Sequence, residues 1–141
     1  MYDVILAATD GSDRAGAAVD HAISLGAAVG ATVHVVTVVE TSDNPMKFGT
    51  SEVDDLNRAA EDLVDEIVGV YDGEDVELTG DVRRGRPSEA LLAYADEADA
   101  DLIVVGERGA DGVAGALLGS TADRLARMAD VPVTIVPVEE K

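Results

Sequence analysis

Three glycines and two hydroxyl residues near the C-terminal end carry the most chemical promise in this chain. They lie in the run GERGADGVAGALLGSTADRL, where two residues separate Gly106 from Gly109 and nine separate Gly109 from Gly119-Ser120-Thr121. Glycines let backbone N–H groups reach an anion with no Cβ in the way, and a Gly-Ser-Thr step opening a helix presents free amides and hydroxyls at the positive end of its dipole. That is phosphate-binding chemistry. On residue types alone, the same run also reads as a Gly-rich loop with an ordinary serine cap. Asp10, in Thr9-Asp10-Gly11-Ser12, is a second candidate: it can accept from a sugar or base, enter the shell of a divalent cation, or be a turn aspartate ahead of a helix.

Other chemistries are poorly supplied. The chain has no cysteine, which excludes disulfides, thiolate catalysis and zinc-thiolate sites. Neither Gly-x4-Gly-Lys-Ser/Thr, nor Gly-x-Gly-x-x-Gly after the first strand, nor Gly-x-Ser-x-Gly occurs, and no dedicated catalytic base is visible. His21 and His34 have no third ligand at metal spacing. Arg83, Arg84 and Arg86 form the one basic cluster and read as surface ion-pair partners.

These residues are positioned by an alternation of short β-branched runs with helix-patterned segments, the mark of βαβ units around a parallel sheet. Strands are expected at Asp3 to Ala8, Thr32 to Val39, Val76 to Arg83, Asp101 to Gly106 and Val131 to Val138. The second, TVHVVTVV, is β-branched enough to be buried on both faces. The third is polar and broken by Gly80, and the fifth carries Pro132 and Pro137; both suit edges. Helices are expected from Ser12 to about Val29, Glu52 to Tyr71, Gly85-Arg86-Pro87-Ser88 to about Ala98, and Ser120 to about Ala129. The stripe Ala15, Ala18, Val19, Ala22 and Ile23 and the stripe Leu56, Ala60, Leu63, Val64, Ile67 and Tyr71 would face the core. Glu40 to Ser51 is the longest loop.

The 141 residues allow one domain, spanning 1–141. Aromatics are only 3% of the chain against 47% hydrophobic residues, so its core is Ala, Val, Leu and Ile. Carboxylates number 29 against 10 Lys and Arg, a formal charge of −19. Such a field disfavours nucleic acid and anionic membrane as partners. The 18 Asp, 8 Arg and 2 Lys resemble the composition of proteins adapted to molar salt, where screening removes self-repulsion. With no basic leader before VILAATDGS and no apolar run of membrane-spanning length, the expected location is cytoplasmic.

The chain resembles the universal stress proteins along nearly its whole length: VILAATDGS at the start, HVVTVVE on the second strand, VRRGRPSEALLAYADEADADLIVVGERG in the middle and VPVTIVP at the end. The ATP-binding members of that family carry Gly-x2-Gly-x9-Gly-Ser/Thr, matched here from Gly106 to Ser120. The resemblance implies a three-layer α/β/α fold of the adenine nucleotide alpha hydrolase type, with an open five-stranded parallel sheet ordered 3-2-1-4-5. It implies ATP, or ADP or AMP, held as a regulatory ligand in a stress response. Asp10 and Val38 would border adenine and ribose with Ala8 and Thr9 beside them, and Gly106, Gly109, Gly119, Ser120 and Thr121 would hold ribose and phosphates; Arg108, the nearest charge to offset Asp111, is expected either to touch phosphate or to be a solvated surface group. The chain departs from many ATP-binding members at Ala8, where proline is common, and at Ala110-Asp111, where a basic or polar residue is. Asp111 would oppose phosphate unless a metal intervenes, so Mg²⁺ is expected with the nucleotide. A homodimer through the last strand is expected, as in many relatives. The competing expectation is a nucleotide-free interaction or chaperone-like module; slow ATPase activity or self-phosphorylation at Ser120 or Thr121 is the third.

Overall fold

A computed structural model describes residues 2–9, 13–39, 50–71, 76–107 and 120–137, without the side chains of 13–15 and 50–57. Nine elements alternate: β1 (Val4–Ala8), α1 (Asp13–Val29), β2 (Thr32–Val39), α2 (Thr50–Val70), β3 (Glu77–Arg84), α3 (Pro87–Glu97), β4 (Leu102–Gly106), α4 (Ser120–Met128) and β5 (Val133–Val136). All strand pairs are parallel, in the order β3-β2-β1-β4-β5. This is the expected order, with the two polar or proline-bearing strands at the edges.

Side-chain alternation along the strands divides the core in two. On one face Ile5, Ala7, Val33, Val35, Leu102 and Val104 pack under α1 through Ala18, Val19, Ala22 and Ile23, with Ile67 and Tyr71 of the α2 segment against them. On the other, Leu6, Val36, Ile103 and Val105 pack under α3 through Leu91 and Tyr94, and under α4 through Ala122 and Leu125. The small stripe on α1 lets that helix sit close to the sheet. Ala60 and Val64 of α2 are buried as their spacing requires; Ala15 and Leu56 have side chains outside the described residues. Among the described residues, no helix is long and apolar enough to cross a membrane.

Several boundaries differ from the expected ones. β3 is displaced by one residue, because its register pairs Thr32 with Glu77 and Val39 with Arg84. β5 keeps only Val133–Val136 of the expected Val131 to Val138. Its pairing with β4 starts where the Pro132 carbonyl accepts from Ile103 N–H and ends where the Val136 carbonyl accepts from Glu107 N–H, both at 3.0 Å; Val138 lies outside the described residues. α2 begins two residues earlier than expected, at Thr50, and α3 and α4 each stop one residue short.

Glycine is required where β3 hands over to α3. Gly85 has φ +128, a region side chains rarely enter, and its N–H donates to Val39 O at 3.0 Å. Arg86 then takes an extended N-cap conformation and Pro87 occupies the first turn.

At the opposite, N-terminal ends of the strands, Asp101 ties β4 to β1. Its carboxylate accepts N–H of Asp3 at 2.8 Å and of Val4 at 3.0 Å, and its own N–H donates to Val4 O at 2.8 Å. The two backbone donors hold the Asp101 carboxyl below the usual carboxylate range. A depressed pKa means stabilisation that is complete at neutral pH and lost as pH falls through the lowered value. Asp101→Asn is therefore expected to melt below the parent at pH 7, with the gap closing in acid. Paired thermal melts from pH 7 down to about 3 check this, and a gap independent of pH would rule out the charged clamp.

Candidate functional site

In a doubly wound sheet, ligands bind beyond the carboxyl ends of the strands where the strand order reverses. Here the reversal lies between β1 and β4. The chain leaves β1 into α1 on one face, whereas α4, which follows β4, packs on the other. Two adjacent strand ends whose connections depart in opposite directions leave a crevice between them.

The described members of the expected site converge there. Ala8 ends β1 and Gly106 ends β4. The side chains of Ala8 and Val38 are half-buried on the α3/α4 face, against the same cluster that receives Ala122 from the first turn of α4. Ser120 is the first residue of α4 and is exposed, and Thr121 follows it half-buried. An apolar wall from β1 and β2 thus shares one face of the sheet with a helix N-terminus. Asp10, Arg108, Gly109 and Gly119 lie outside the described residues.

Thr9 has a role its sequence context did not disclose. Its N–H donates to Val36 O at 2.9 Å, and its carbonyl accepts from Thr37 Oγ1 at 2.7 Å. Thr9 and Thr37 are 7% and 6% exposed, so this bond is made out of water, where leaving either partner unmade is costly. The chain is thereby fixed to β2 one residue before Asp10. Thr37 sits within a β-branched run, and no local signal distinguishes it there from its strand neighbours.

Glu107 follows Gly106, and Asp123 stands in the first turn of α4, paired with Arg127 at 3.3 Å. Among the described residues, no group of three His, Asp or Glu side chains is arranged to hold a metal ion by itself.

The arginine cluster behaves as expected of surface ion-pair partners. Arg86 approaches Glu89 at 3.9 Å, and Arg83 approaches Asp81 at 3.1 Å and Glu97 at 3.9 Å. Arg83 also lies 4.9 Å over the Tyr94 ring. Tyr94 and His34 Nδ1 share a 2.8 Å hydrogen bond. Burial pushes the His34 pKa down, against the opposing pull of Asp81 and Glu77, and the same burial pushes the Tyr94 hydroxyl up. The ring is therefore neutral at pH 7 and serves to seat α3 on β2. His21 is exposed on α1 on the other face of the sheet, so the two histidines are not brought together.

These features define an open α/β domain of the doubly wound class with its crevice at the β1/β4 reversal. The universal stress protein family model matches residues 1–137, and the chain belongs to that family. It is 33% identical over 142 residues to a universal stress protein of Thermus aquaticus, covering 96% of this chain and 99% of the relative. With one from Methanocaldococcus jannaschii it shares 28% over 145 residues, covering 100% of this chain and 85% of the relative. Among solved structures, a universal stress protein in complex with cAMP is 30% identical, with TM-score 0.72 over 98% of this chain and 99% of that one. Universal stress protein UspA from Lactobacillus plantarum, at 23% identity, shares the fold with TM-score 0.86 over 96% of this chain and 97% of that one.

Proposed function

We propose that this protein binds an adenine nucleotide at the β1/β4 crevice, with ATP and Mg²⁺ as the working pair and the nucleotide acting as a regulatory ligand in a stress response. The observation that carries the reading is the convergence of the β1 and β4 ends, the apolar wall of Ala8 and Val38, and the N-terminus of α4 on one face of the sheet. The cAMP complex of a relative 30% identical to this chain supports it. In this reading Ala8, Thr9, Asp10 and Val38 border the base and sugar, and Gly106, Arg108, Gly109, Gly119, Ser120 and Thr121 hold sugar and phosphates. The apolar wall suits a purine face, and the amides opening α4 suit phosphate. With −19 overall, a divalent cation would offset the repulsion that a polyphosphate meets.

Titration calorimetry in molar KCl with Mg²⁺ tests the reading. Micromolar affinity, about −8 kcal/mol, is expected for ATP, falling sharply when EDTA replaces Mg²⁺. Ser120→Ala keeps the amide and loses only the hydroxyl, so about 0.5–2 kcal/mol of binding should go. No heat with ATP, ADP or AMP, together with no co-purified nucleotide, would leave the interaction-module reading in its place.

We also propose a homodimer through β5. The Pro132 and Val136 carbonyls point to β4, and the alternation turns the backbone groups of Val133 and Ile135 to the free edge. Their side chains are half-buried against the α3/α4 core. Ile135→Asp would therefore injure the fold as well as any dimer, and it does not isolate the interface. Light scattering at micromolar concentration should give twice 14.5 kDa; the monomer mass would remove the dimer.

A further inference from the structure

At the N-terminal ends of the strands, on the face covered by α3 and α4, lies a groove of about 560 Å³. Its floor is apolar: half-buried Leu92, Ala95 and Val131 over buried Ile103. Met128 forms one lip and is 66% exposed. Asp96, Asp99 and Asp130 stand exposed along the rim, and among the described residues no lysine or arginine lines the groove. Among the described residues, none of the three rim carboxylates makes an ion pair, in contrast to Asp81, Glu89, Glu97 and Asp123. Asp101, deeper in, is committed to the β1 amides.

An apolar trough edged by unpaired carboxylates complements an occupant that is aliphatic along its length and cationic at its margins. We infer that this groove docks a basic amphipathic segment of a partner protein, an aliphatic side chain lying on Leu92, Ala95 and Val131 against Met128, and Lys or Arg side chains meeting Asp96, Asp99 and Asp130. A second copy of this chain, at −19 overall, would meet the acidic rim with like charge. The groove lies at the opposite ends of the strands from the β1/β4 crevice, so it stands independently of nucleotide binding.

The test uses a fluorescein-labelled amphipathic helix of leucine and lysine, about fourteen residues long, titrated into the full-length protein at the lowest KCl concentration that keeps it folded by circular dichroism. Amide shifts should centre on Ala93, Asp99, Asp130 and Val131. The triple variant Asp96→Asn, Asp99→Asn, Asp130→Asn should weaken binding about tenfold, as loss of three exposed ion pairs implies. Asparagine tolerates the φ of 54° at Asp99, so this variant should fold. Met128→Arg, on an exposed helix position, should weaken binding to a similar degree. Neutralising three exposed carboxylates on the other face, Asp62→Asn, Asp65→Asn and Glu66→Gln, should change affinity by less than about twofold. Equal weakening by both triple variants would reduce the interaction to bulk charge and overturn the proposal. So would shifts centred elsewhere, or spermine and a serine/lysine peptide binding as well as the leucine/lysine one, since a site for small polycations has no use for an apolar face.

Discussion

Gly80→Val should lower the melting temperature by roughly 10 °C or more, the largest stability loss expected of any single change described for this fold. Gly80 lies on β3 opposite Val35 of β2, where α2 crosses the sheet. A Cβ placed on its backbone falls inside the contact distance of Val64 Cγ1 and 3.2 Å from Val68 Cγ2. Val64 is buried, and a valine in a helix has essentially one χ1 rotamer. It cannot swing aside, so α2 must lift from β3. Overpacking of this kind costs about 1–3 kcal/mol and sometimes more, against a total stability of about 5–15 kcal/mol for a domain. Gly80→Ala should show the same effect at smaller scale. Val64→Ala should relieve it, so that the double variant Gly80→Ala, Val64→Ala melts above the sum of the two single losses. Thermal melts of the parent and the four variants decide it; a Gly80→Val protein melting within about 2 °C of the parent would mean that α2 and β3 are farther apart than this.

The second large effect should leave the fold untouched. Gly109→Val places a β-branched side chain three residues beyond the end of β4, in the segment proposed to pass beside the phosphates. Nucleotide affinity should fall by at least about a hundredfold, near 2.7 kcal/mol, with the melting temperature of the free protein unchanged. Calorimetry with Mg-ATP in molar KCl, alongside a melt, reads both. Unchanged affinity would remove Gly109 from the site, and a fall in both affinity and melting temperature would make it a structural glycine. The two glycine variants are thus expected to separate cleanly: one loses the fold, the other the ligand.

Much of this architecture is written in local pattern. The β-branched runs at residues 32–39 and 102–106 became the buried parts of β2 and β4, and the helical stripe from Ala18 to Ile23 became the inner face of α1. The polarity of the third strand and the prolines around the fifth marked the sheet edges. Such features are legible because burial acts residue by residue with a period of 2 or 3.6. The strand order came from the family resemblance, since periodicity does not say which strand lies beside which. The candidate site was legible as glycine spacing, which names a chemistry without placing it.

Tertiary structure alone decided the rest. In sequence Gly80 looked like a break in an edge strand; in the fold it is the space into which Val64 of α2 fits, sixteen residues away. Ile135 lies on an edge strand, yet its side chain packs against the α3/α4 core. The Thr9–Thr37 bond, the Asp101 clamp on β1 and the Arg83–Tyr94–His34 contacts each join residues 28 or more positions apart in at least one of their pairs. Each depends on a register between strands, and a shift of one residue would turn every side chain concerned to the opposite face. Periodicity in one segment reports which of its faces is buried. The partner across that face is chosen by the packing of the whole sheet, and only there do Ala8, Val38 and Ala122 of the first turn of α4 come to share one side of it.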